Sequence, residues 1–432
     1  ATPAQMQQTL SAYLFGFALM NLFHGALSDA VGRRPVVLGG LALFTLASLA
    51  CGAASSQPVL IGARAVQGIA GAGVSAVALS LIMDLFTAPA DRAKAMGIYG
   101  FVCAAGGSVG VLLGGVLTSV LNWHWIFFVN LPIGIAVYAF CRALLPKDRN
   151  AATGGRLDVA GSVTVTLALM LAVYAIVNGN AVGWTSVQTI GLLGVTSLLL
   201  ALFLGIEAQV RAPLMPLDLF RLRNVATANV IGVLWAAAMF AWFFIAALYL
   251  QRVLGYTAMQ VGLAFLPANL IMAAFSVGLS AKVVMRFGIR LPLATGLLLA
   301  AIGLALFARA PAEGAFAVDV LPAMLLLGLG AGLAFNPLLL AAMNDVAPRD
   351  SGLASGIVNT SFMMGGALGL AVLASLADAR TSTALQGGLT SAAALTSGYH
   401  AAFAVGAAFA LAAAILGATL IRTGAKVHER RR

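Results

Sequence analysis

Long apolar runs separated by short polar stretches follow one another along almost the whole chain. Each run is about 17–27 residues long, and about 20 apolar residues in a helix cross the hydrocarbon core of a bilayer. The pattern therefore predicts thirteen membrane-spanning helices. They lie near residues 11–27, 36–54, 58–83, 95–120, 125–145, 159–178, 186–206, 225–251, 259–281, 291–308, 320–343, 353–377 and 399–421.

Basic residues occur in every second loop, starting from Arg33 and Arg34, so that one side of the membrane collects 20 of the 24 Lys and Arg residues. Loops rich in Lys and Arg stay in the cytoplasm. We therefore expect a cytoplasmic C-terminus and an outer location for Ala1. Because the chain also begins without Met, we expect one upstream helix to be missing, and a complete chain of thirteen spans is the alternative.

Composition agrees with a membrane environment. Hydrophobic residues make up 61% of the chain and charged residues 9%, with a mean hydropathy of +1.01, whereas soluble domains carry about 25% charged residues. The predicted fold class is an all-α polytopic membrane protein with the lipid bilayer as a partner. The net charge of +11 fits anchoring on anionic lipid and not nucleic-acid binding.

Two long polar stretches, Pro146–Asp158 and Arg211–Asn224, divide the chain. We predict an N-terminal bundle with five visible spans (1–146), a linker with two inserted peripheral spans (147–210), and a C-terminal six-helix bundle with a basic tail (211–432). A weak echo of residues 25–34 at 278–290 indicates internal repetition. Such repetition is typical of secondary transporters, whose binding site lies between the halves.

Residues 25–34 read G-x-L-S-D-x-x-G-R-R and resemble the loop signature of the major facilitator superfamily. Gly25 and Gly32 would permit a tight reversal, with Asp29 as a fixed anion at the membrane edge. Asp29 could meet the start of a helix at 351–356, while Arg33 or Arg34 pairs with Asp84. These contacts would form a latch that closes the cytoplasmic side; an ordinary charged turn is the alternative.

A second signature of the same family is matched by Arg64-x-x-Gln67-Gly68-x-x-Gly71. Arg64 is the only Lys or Arg within a predicted span, and such a charge is by default a functional hypothesis. We regard Arg64 and Gln67 as coupling candidates. Alternatively, the Arg64 side chain reaches outward to the interface and has no further role.

The family's antiporter signature is resembled by residues 106–115, with Val111 where Pro is usual. Its glycines predict a face for close helix packing, and generic packing remains the alternative. The set is Gly106, Gly110, Gly114 and Gly115. The segment Trp123–Gly134 is similar to the opening of the sixth helix in the fourteen-span drug:proton antiporter branch, with His124 where Arg is usual. That resemblance implies two six-helix bundles with two extra helices between them.

Polar and aromatic residues in mid-span are candidates for a substrate cavity between the halves. Aromatic, Met and amide side chains suit flat, greasy compounds, but simple helix packing would place the same residues. The candidates are Tyr13, Phe17, Asn21, Trp235, Met239, Trp242, Asn269, Asn336, Asn359 and Met363. All acidic residues lie in loops or at span ends, so the proton carrier is open between peripheral groups and an acid on the upstream helix. The peripheral groups are Asp29, His124, Asp319 and Asp378.

The resemblance implies a transporter of the bacterial cytoplasmic (inner) membrane that exports hydrophobic or amphipathic drug-like compounds by proton antiport and alternating access. It implies no cofactor, with the proton as coupling ion, and a monomer, with a periplasmic adaptor left open as a partner. The alternative is the same fold moving a lipid, a fatty acid or an anionic metabolite. An enzyme or sensor lacks support, because no span carries a catalytic cluster or a metal-ligand spacing.

Overall fold

The computed structural model describes residues 3–86, 89–146, 158–210, 213, 217–275, 279–343, 346 and 351–422, and every regular element within these ranges is helical. Over its described residues, each of the thirteen apolar runs agrees to within about two residues with one helix or with two consecutive helices, which confirms the predicted all-α polytopic membrane fold. By length and hydropathy, nine helical segments of the described part of the chain are able to cross a membrane.

The helices fall into three groups along the chain. The first group is α1 (Pro3–Val31), α2 (Arg33–Gly52), α3 (Gln57–Leu85), α4 (Pro89–Val120), α5 (Trp125–Phe128) and α6 (Asn130–Leu144). The middle pair is α7 (Val159–Val182) and α8 (Val187–Glu207). After a 3₁₀ turn at Leu217–Arg221, the last group is α9 (Arg223–Arg252), α10 (Ala258–Ala274), α11 (Ser280–Phe287), α12 (Arg290–Phe307), a π-helical turn (Phe316–Val320), α13 (Leu321–Met343), α14 (Ser351–Gln386) and α15 (Ser391–Leu420).

Packing within the first and last groups forms two bundles, and several helices of one bundle contact helices of the other. In the N-terminal bundle α3 packs between α1 and α2, and α6 lies against α2. In the C-terminal bundle α9 packs on α14 and α15, and α12 packs on α13 and α15. The bundles touch mainly where α1 meets α14 and where α4 meets α10, and α3 also contacts α14. We call the end of the molecule that carries Arg33, Arg34 and Arg142 the basic end.

Helix α14 is longer than its apolar run predicts. The run ends near residue 377, but the helix continues to Gln386 and spans 36 residues, or about 54 Å at 1.5 Å per residue. The extra residues read D-A-R-T-S-T-A-L-Q. Most of these residues are compatible with a helix although they are polar, so the helix does not have to stop where the apolar run stops.

The inserted pair is attached to the C-terminal bundle by hydrogen bonds. Asn180 Nδ2 of α7 donates to the backbone oxygen of Ser375 on α14 at 2.6 Å and lies 3.4 Å from Asp378 Oδ2. Ser375 Oγ donates to the backbone oxygen of Ile176 at 3.1 Å, and Trp184 Nε1 donates to Asn180 Oδ1 at 2.8 Å. The prediction of a purely peripheral pair therefore needs a correction: α8 is largely exposed, but α7 also packs on α14 and lies beside α1.

Replacing Asn180 by Ala should loosen α7 from α14. Hydrogen bonds between membrane helices contribute about 0.6 kcal/mol on average and up to about 1.7 kcal/mol, so Asn180→Ala should lower the unfolding temperature in detergent by a few degrees and speed hydrogen exchange in α7. Asn178→Ala is the matched control, because Asn178 donates only to Tyr174 of its own helix at 2.8 Å. Equal behaviour of the two variants would contradict the proposed attachment.

Candidate functional site

Glycines let α1 and α3 cross with their backbones in contact. A Cβ added at Gly68 would overlap the backbone oxygen of Tyr13, and a Cβ added at Gly16 would overlap that of Ala65. Small residues at a helix crossing permit this close approach in membranes. The contact places the Tyr13 ring beside the N-terminal half of α3, where Arg64 lies.

A chain of hydrogen bonds, here called the Arg64 network, links α3 to α2. Arg64 Nη1 donates to Gln67 Oε1 at 2.6 Å, and Gln67 Nε2 donates to Ser48 Oγ at 2.7 Å. Ser48 Oγ in turn donates to the backbone oxygen of Phe44 at 2.8 Å. Gln67 is 1% exposed and Ser48 is fully buried. The network thus fixes the Arg64 guanidinium from one side.

Two aromatic rings face the Arg64 guanidinium. Its Cζ lies 4.4 Å from the ring centroid of Tyr13 and 5.7 Å from that of Phe127. Both distances are within the range of a cation–π interaction, which is worth up to about 2 kcal/mol where water is excluded. The rings hold the charge in place without neutralising it.

Helix α5 covers the end of α2 that is opposite to the basic end. The His124 ring Nδ1 donates to the backbone oxygen of Gly52 at 2.7 Å, and the Phe128 ring packs directly on Gly52. Trp123 stacks on His124 with ring centroids 3.7 Å apart. The segment Trp123–Gly134 therefore begins as a cap over the α2–α3 turn, and Phe127 extends from this cap to Arg64.

Tyr13 also faces the C-terminal bundle. Partly buried apolar side chains from both bundles pack around Ala367 and Leu370 of α14. We call these partly buried side chains the junction cluster. Its members are Leu10, Tyr13, Phe240, Phe244 and Met363. Because these residues come from α1, α9 and α14, the cluster lies where the two bundles meet.

Further rings extend the junction cluster into the C-terminal bundle. Phe362 lies edge-on to Phe240 and to Phe335, with centroids 6.1 and 5.9 Å apart. All three rings are only partly buried. The result is a continuous aromatic surface at the contact between the bundles.

Several of the predicted amides are buried without a partner in the described part of the chain. Neither Nδ2 nor Oδ1 of Asn21 has a hydrogen-bond partner there, and its side chain is fully buried. The same holds for Asn269 Oδ1 and Asn359 Nδ2. Each unpaired polar atom costs about 1–3 kcal/mol, so these atoms are suited to a ligand or to water. Phe17 is buried on the same face as Asn21, and Asn336 is partly buried in α13.

The prediction that Trp235 and Trp242 line a cavity is wrong. Trp235 is fully buried and Trp242 is 1% exposed, and both belong to the packed core of the C-terminal bundle. Trp242 lies 5.8 Å from Phe265 of α10. Met239 is partly buried against the same core. The neighbouring face of α9, with Phe240, faces the junction instead.

The antiporter-type glycines do not form one packing face. Gly115 lies against α10, where an added Cβ would be 2.9 Å from the backbone oxygen of Ala258. At Gly106, Gly110 and Gly114 an added Cβ would meet nothing within 4 Å. The packing prediction is therefore corrected to Gly115 alone, because the other three glycines face open space.

The loop signature reverses the chain at a single residue. Gly32 has φ = 96° between α1 and α2, in the left-handed region that favours glycine. Gly25 is buried inside α1, six residues before the end of that helix, so its predicted role in the reversal is wrong. Arg34 Nη2 donates to the backbone oxygen of Arg142 at 2.7 Å and ties the loop to α6.

The remaining parts of the latch prediction are untested. The side chains of Asp29 and Asp84 lie outside the described residues, and the position of Arg33 is half-buried. The start of α14 at Ser351 agrees with the expected helix beginning at 351–356. The latch therefore stays a prediction.

The peripheral candidates for the proton carrier take part in structural hydrogen bonds. Asp319 Oδ2 accepts from the backbone N–H of Ala315 at 2.8 Å and caps the π-helical turn. Asp378 is exposed and lies beside Asn180, and His124 bonds Gly52. These contacts give each group a structural role.

Sequence reasoning missed Ser48, Phe127, Phe240 and Phe244 as site residues. Phe127 lies within the segment Trp123–Gly134 but was not singled out there, and the other three lie in apolar runs with no motif around them. One signal was present for Phe240 and Phe244, since they lie four residues apart and share a helix face. Ser48 had no comparable signal, because its partner is 19 residues away.

The match to a known family decides what this architecture is. A family model described as Major Facilitator Superfamily matches residues 1–370. The chain belongs to the Major Facilitator Superfamily. It is a multi-pass membrane transporter and not an enzyme.

Relatives with named roles cover nearly the whole chain. It is 36% identical over 416 residues to the puromycin resistance protein pur8 of Streptomyces alboniger, covering 96% of this chain and 82% of that protein. It is 36% identical to the cephamycin export protein CmcT of Amycolatopsis lactamdurans, covering 96% and 84%. The multidrug resistance protein Stp of Mycobacterium tuberculosis is 34% identical, covering 88% and 70%.

A solved structure supports the fold. The crystal structure of the human organic anion transporter MFSD10 aligns with a TM-score of 0.66 and 18% sequence identity. The alignment covers 95% of this chain and 83% of the human chain. At this level of identity the similarity concerns the fold alone.

Substituting Gly68 by Ala should separate α1 from α3. The new methyl group overlaps the backbone of Tyr13, so we expect a loss of about 1–3 kcal/mol, as for other overpacked sites, together with reduced transport. Gly62→Ala is the matched control on the same helix, since a Cβ there meets nothing within 4 Å and alanine favours helix. Measurements of unfolding temperature and transport should separate the variants, and a Gly68→Ala protein as stable as Gly62→Ala would contradict the close crossing.

Proposed function

We propose that this transporter exports hydrophobic or amphipathic drug-like compounds across the bacterial cytoplasmic membrane by proton antiport and alternating access. The observation that carries the proposal is the junction cluster, an aromatic and Met surface that both bundles share beside the Arg64 network. Such surfaces bind flat apolar molecules with few directional contacts. The named relatives also support drug export, because their names refer to drug resistance and export.

The division into two bundles supports alternating access. The bundles meet at α1–α14 and α4–α10, and rocking of one bundle against the other would open the junction cluster to each side in turn. The orientation proposed from the basic loops puts the basic end in the cytoplasm. The Asp29 latch would close this end while the cluster faces outward.

Proton coupling would supply the driving force. The membrane potential provides about 2.3 kcal/mol per charge per 100 mV. At about 150 mV, one proton entering could sustain a gradient of about 300-fold for a neutral substrate. We propose Arg64 and Gln67 as the coupling elements, since their network extends from α2 to the ring that contacts the C-terminal bundle.

Moving a lipid, a fatty acid or an anionic metabolite is the second candidate. It is favoured by one observation, the absence of a carboxylate beside Arg64 among the described residues. A positively charged cavity wall repels cationic drugs and attracts anionic compounds. The two candidates share the fold and the alternating mechanism but differ in substrate charge.

Dye efflux from proteoliposomes should depend on a pH gradient. With the purified protein in vesicles, an imposed proton gradient should speed export of an amphipathic dye severalfold, and a protonophore should abolish the increase. The measurement is dye fluorescence over time at fixed membrane potential. Efflux of equal rate with and without the gradient would rule out proton coupling, while transfer of a fluorescent lipid in place of the dye would favour the second candidate.

Asp29→Asn should impair transport by removing the anion of the latch. We expect slower gradient-driven efflux with little change in the unfolding temperature, because a single contact at the membrane edge contributes at most about 1 kcal/mol. Asp91→Asn is the control, since Asp91 is an exposed carboxylate in the first turn of α4. Normal efflux by Asp29→Asn would refute the latch.

A further inference from the structure

Arg64 lies within a membrane-spanning helix and has no counter-ion among the residues that the structure describes. It lies seven residues after Gln57, the first residue of α3, and therefore about 10 Å from that helix end. Its contacts are an amide oxygen, from Gln67, and the rings of Tyr13 and Phe127. Among the described residues no carboxylate lies within ion-pair distance of its guanidinium. The positive charge is therefore held by neutral groups only.

Such an arrangement is costly for the protein alone. An ionised group in the hydrocarbon region of a bilayer is costly when it has no counter-ion, and an arginine cannot relieve this cost by losing its proton. Cation–π contacts offset part of the cost. The hydrogen bond to Gln67 and the contact with Phe127 of the α5 cap hold the guanidinium in this position.

The unused donors of Arg64 remain accessible. A guanidinium has five N–H donors, and the one hydrogen bond found is that from Nη1 to Gln67. Neither Nε nor Nη2 is among the fully buried atoms that lack a partner. These nitrogens therefore face space that a ligand or water can reach. A planar guanidinium with free parallel donors matches a carboxylate in two-point geometry.

Tyr13 connects this charge to the junction cluster, where the proposed function places the substrate. One part of its ring lies under Arg64, and the same side chain belongs to the junction cluster with Phe240 and Met363. The Tyr13 hydroxyl has no hydrogen-bond partner within the described ranges. Two kinds of free donor, guanidinium N–H and phenol O–H, thus lie beside the apolar surface.

We propose that Arg64 and Tyr13 form a recognition site for a carboxylate, or an equivalent anionic group, of the exported compound. The anion would supply the counter-ion that the described part of the chain does not provide, while the aromatic rings of the junction cluster bind the apolar part. The transporter would then prefer anionic amphipaths to cationic or esterified ones of the same shape. This inference rests on the proposed function, whose drug-like substrate it defines by charge.

The test uses equilibrium binding to the detergent-solubilised full chain. The probes are a rhodamine with a free carboxylate and its ethyl ester, which share one ring system and differ by one negative charge. Fluorescence anisotropy gives both dissociation constants, and their ratio cancels the contribution of the rings. A charge-assisted hydrogen bond changes affinity by about tenfold or more, so the wild type should favour the acid by at least this factor.

Three substitutions distinguish the effect of the Arg64 charge on binding from an effect on folding. Arg64→Gln should reduce the preference for the acid by about tenfold, and Arg64→Lys should keep part of it. Gln67→Glu retains the guanidinium but places a carboxylate where the amide oxygen now accepts from Nη1, so it should also reduce the preference. Arg252→Gln is the matched control, since Arg252 is exposed at the end of α9, and its ratio should equal that of the wild type.

An unchanged ratio in both Arg64→Gln and Gln67→Glu would overturn the proposal, and so would a wild type that binds neither dye or prefers the ester. If Arg64→Gln fails to fold by its unfolding temperature, Gln67→Glu and Arg64→Lys decide. Tight binding of phosphatidylglycerol that the acid dye does not displace would assign the cation to a lipid headgroup and overturn the substrate assignment. Failure of the proposed function is distinct, because it appears as gradient-independent efflux in vesicles and leaves this binding ratio unaffected.

Discussion

The contact between the α1 and α3 backbones is the constraint on which the candidate site depends. It exists because Gly68 and Gly16 present no side chain where the helices cross. Without it, Tyr13 would be displaced by at least the width of a methyl group, and the Arg64 guanidinium would lose the ring that lies 4.4 Å away. The same contact brings Tyr13 to the surface that meets the C-terminal bundle. The crossing of α1 and α3 therefore determines which ring lies beside the Arg64 guanidinium and how far the guanidinium lies from the junction cluster.

Both close packing and hydrogen bonds hold the helices of this protein together. Among the described residues, the C-terminal bundle has a continuous apolar core with fully buried rings, and the N-terminal bundle carries the polar Arg64 network. Lipid tails are as apolar as leucine, so close packing and hydrogen bonds carry helix association in a membrane. A change of charge within the Arg64 network would therefore also affect the contact between α2 and α3.

Membrane spans and fold class could be predicted because the bilayer selects for one property, the length of an apolar run. Which way each residue faces could not be predicted equally well. In a helix that is apolar on all sides, such as α9, hydropathy does not distinguish residues of the packed core from residues that line a cavity. Trp235 is therefore predicted to line a cavity but lies in the packed core. The reversal at Gly32 was predictable, since glycine is favoured at positive φ. The bond between Gln67 and Ser48 was not, because it joins two helices through side chains without a sequence pattern.

Because α7 is attached to α14, the inserted pair adds lipid-facing surface to the C-terminal bundle and not to the N-terminal bundle. Helix α8 is mostly exposed and packs on α7, so it would move together with α14. With 21 residues, it measures about 31 Å, close to the thickness of the hydrocarbon core. If the C-terminal bundle tilts, α8 tilts with it, and its apolar length then no longer matches the thickness of the hydrocarbon core. Such a mismatch costs fractions of a kcal/mol per Å. In the proposed alternating-access cycle, bilayer thickness would therefore influence the balance between the two access states.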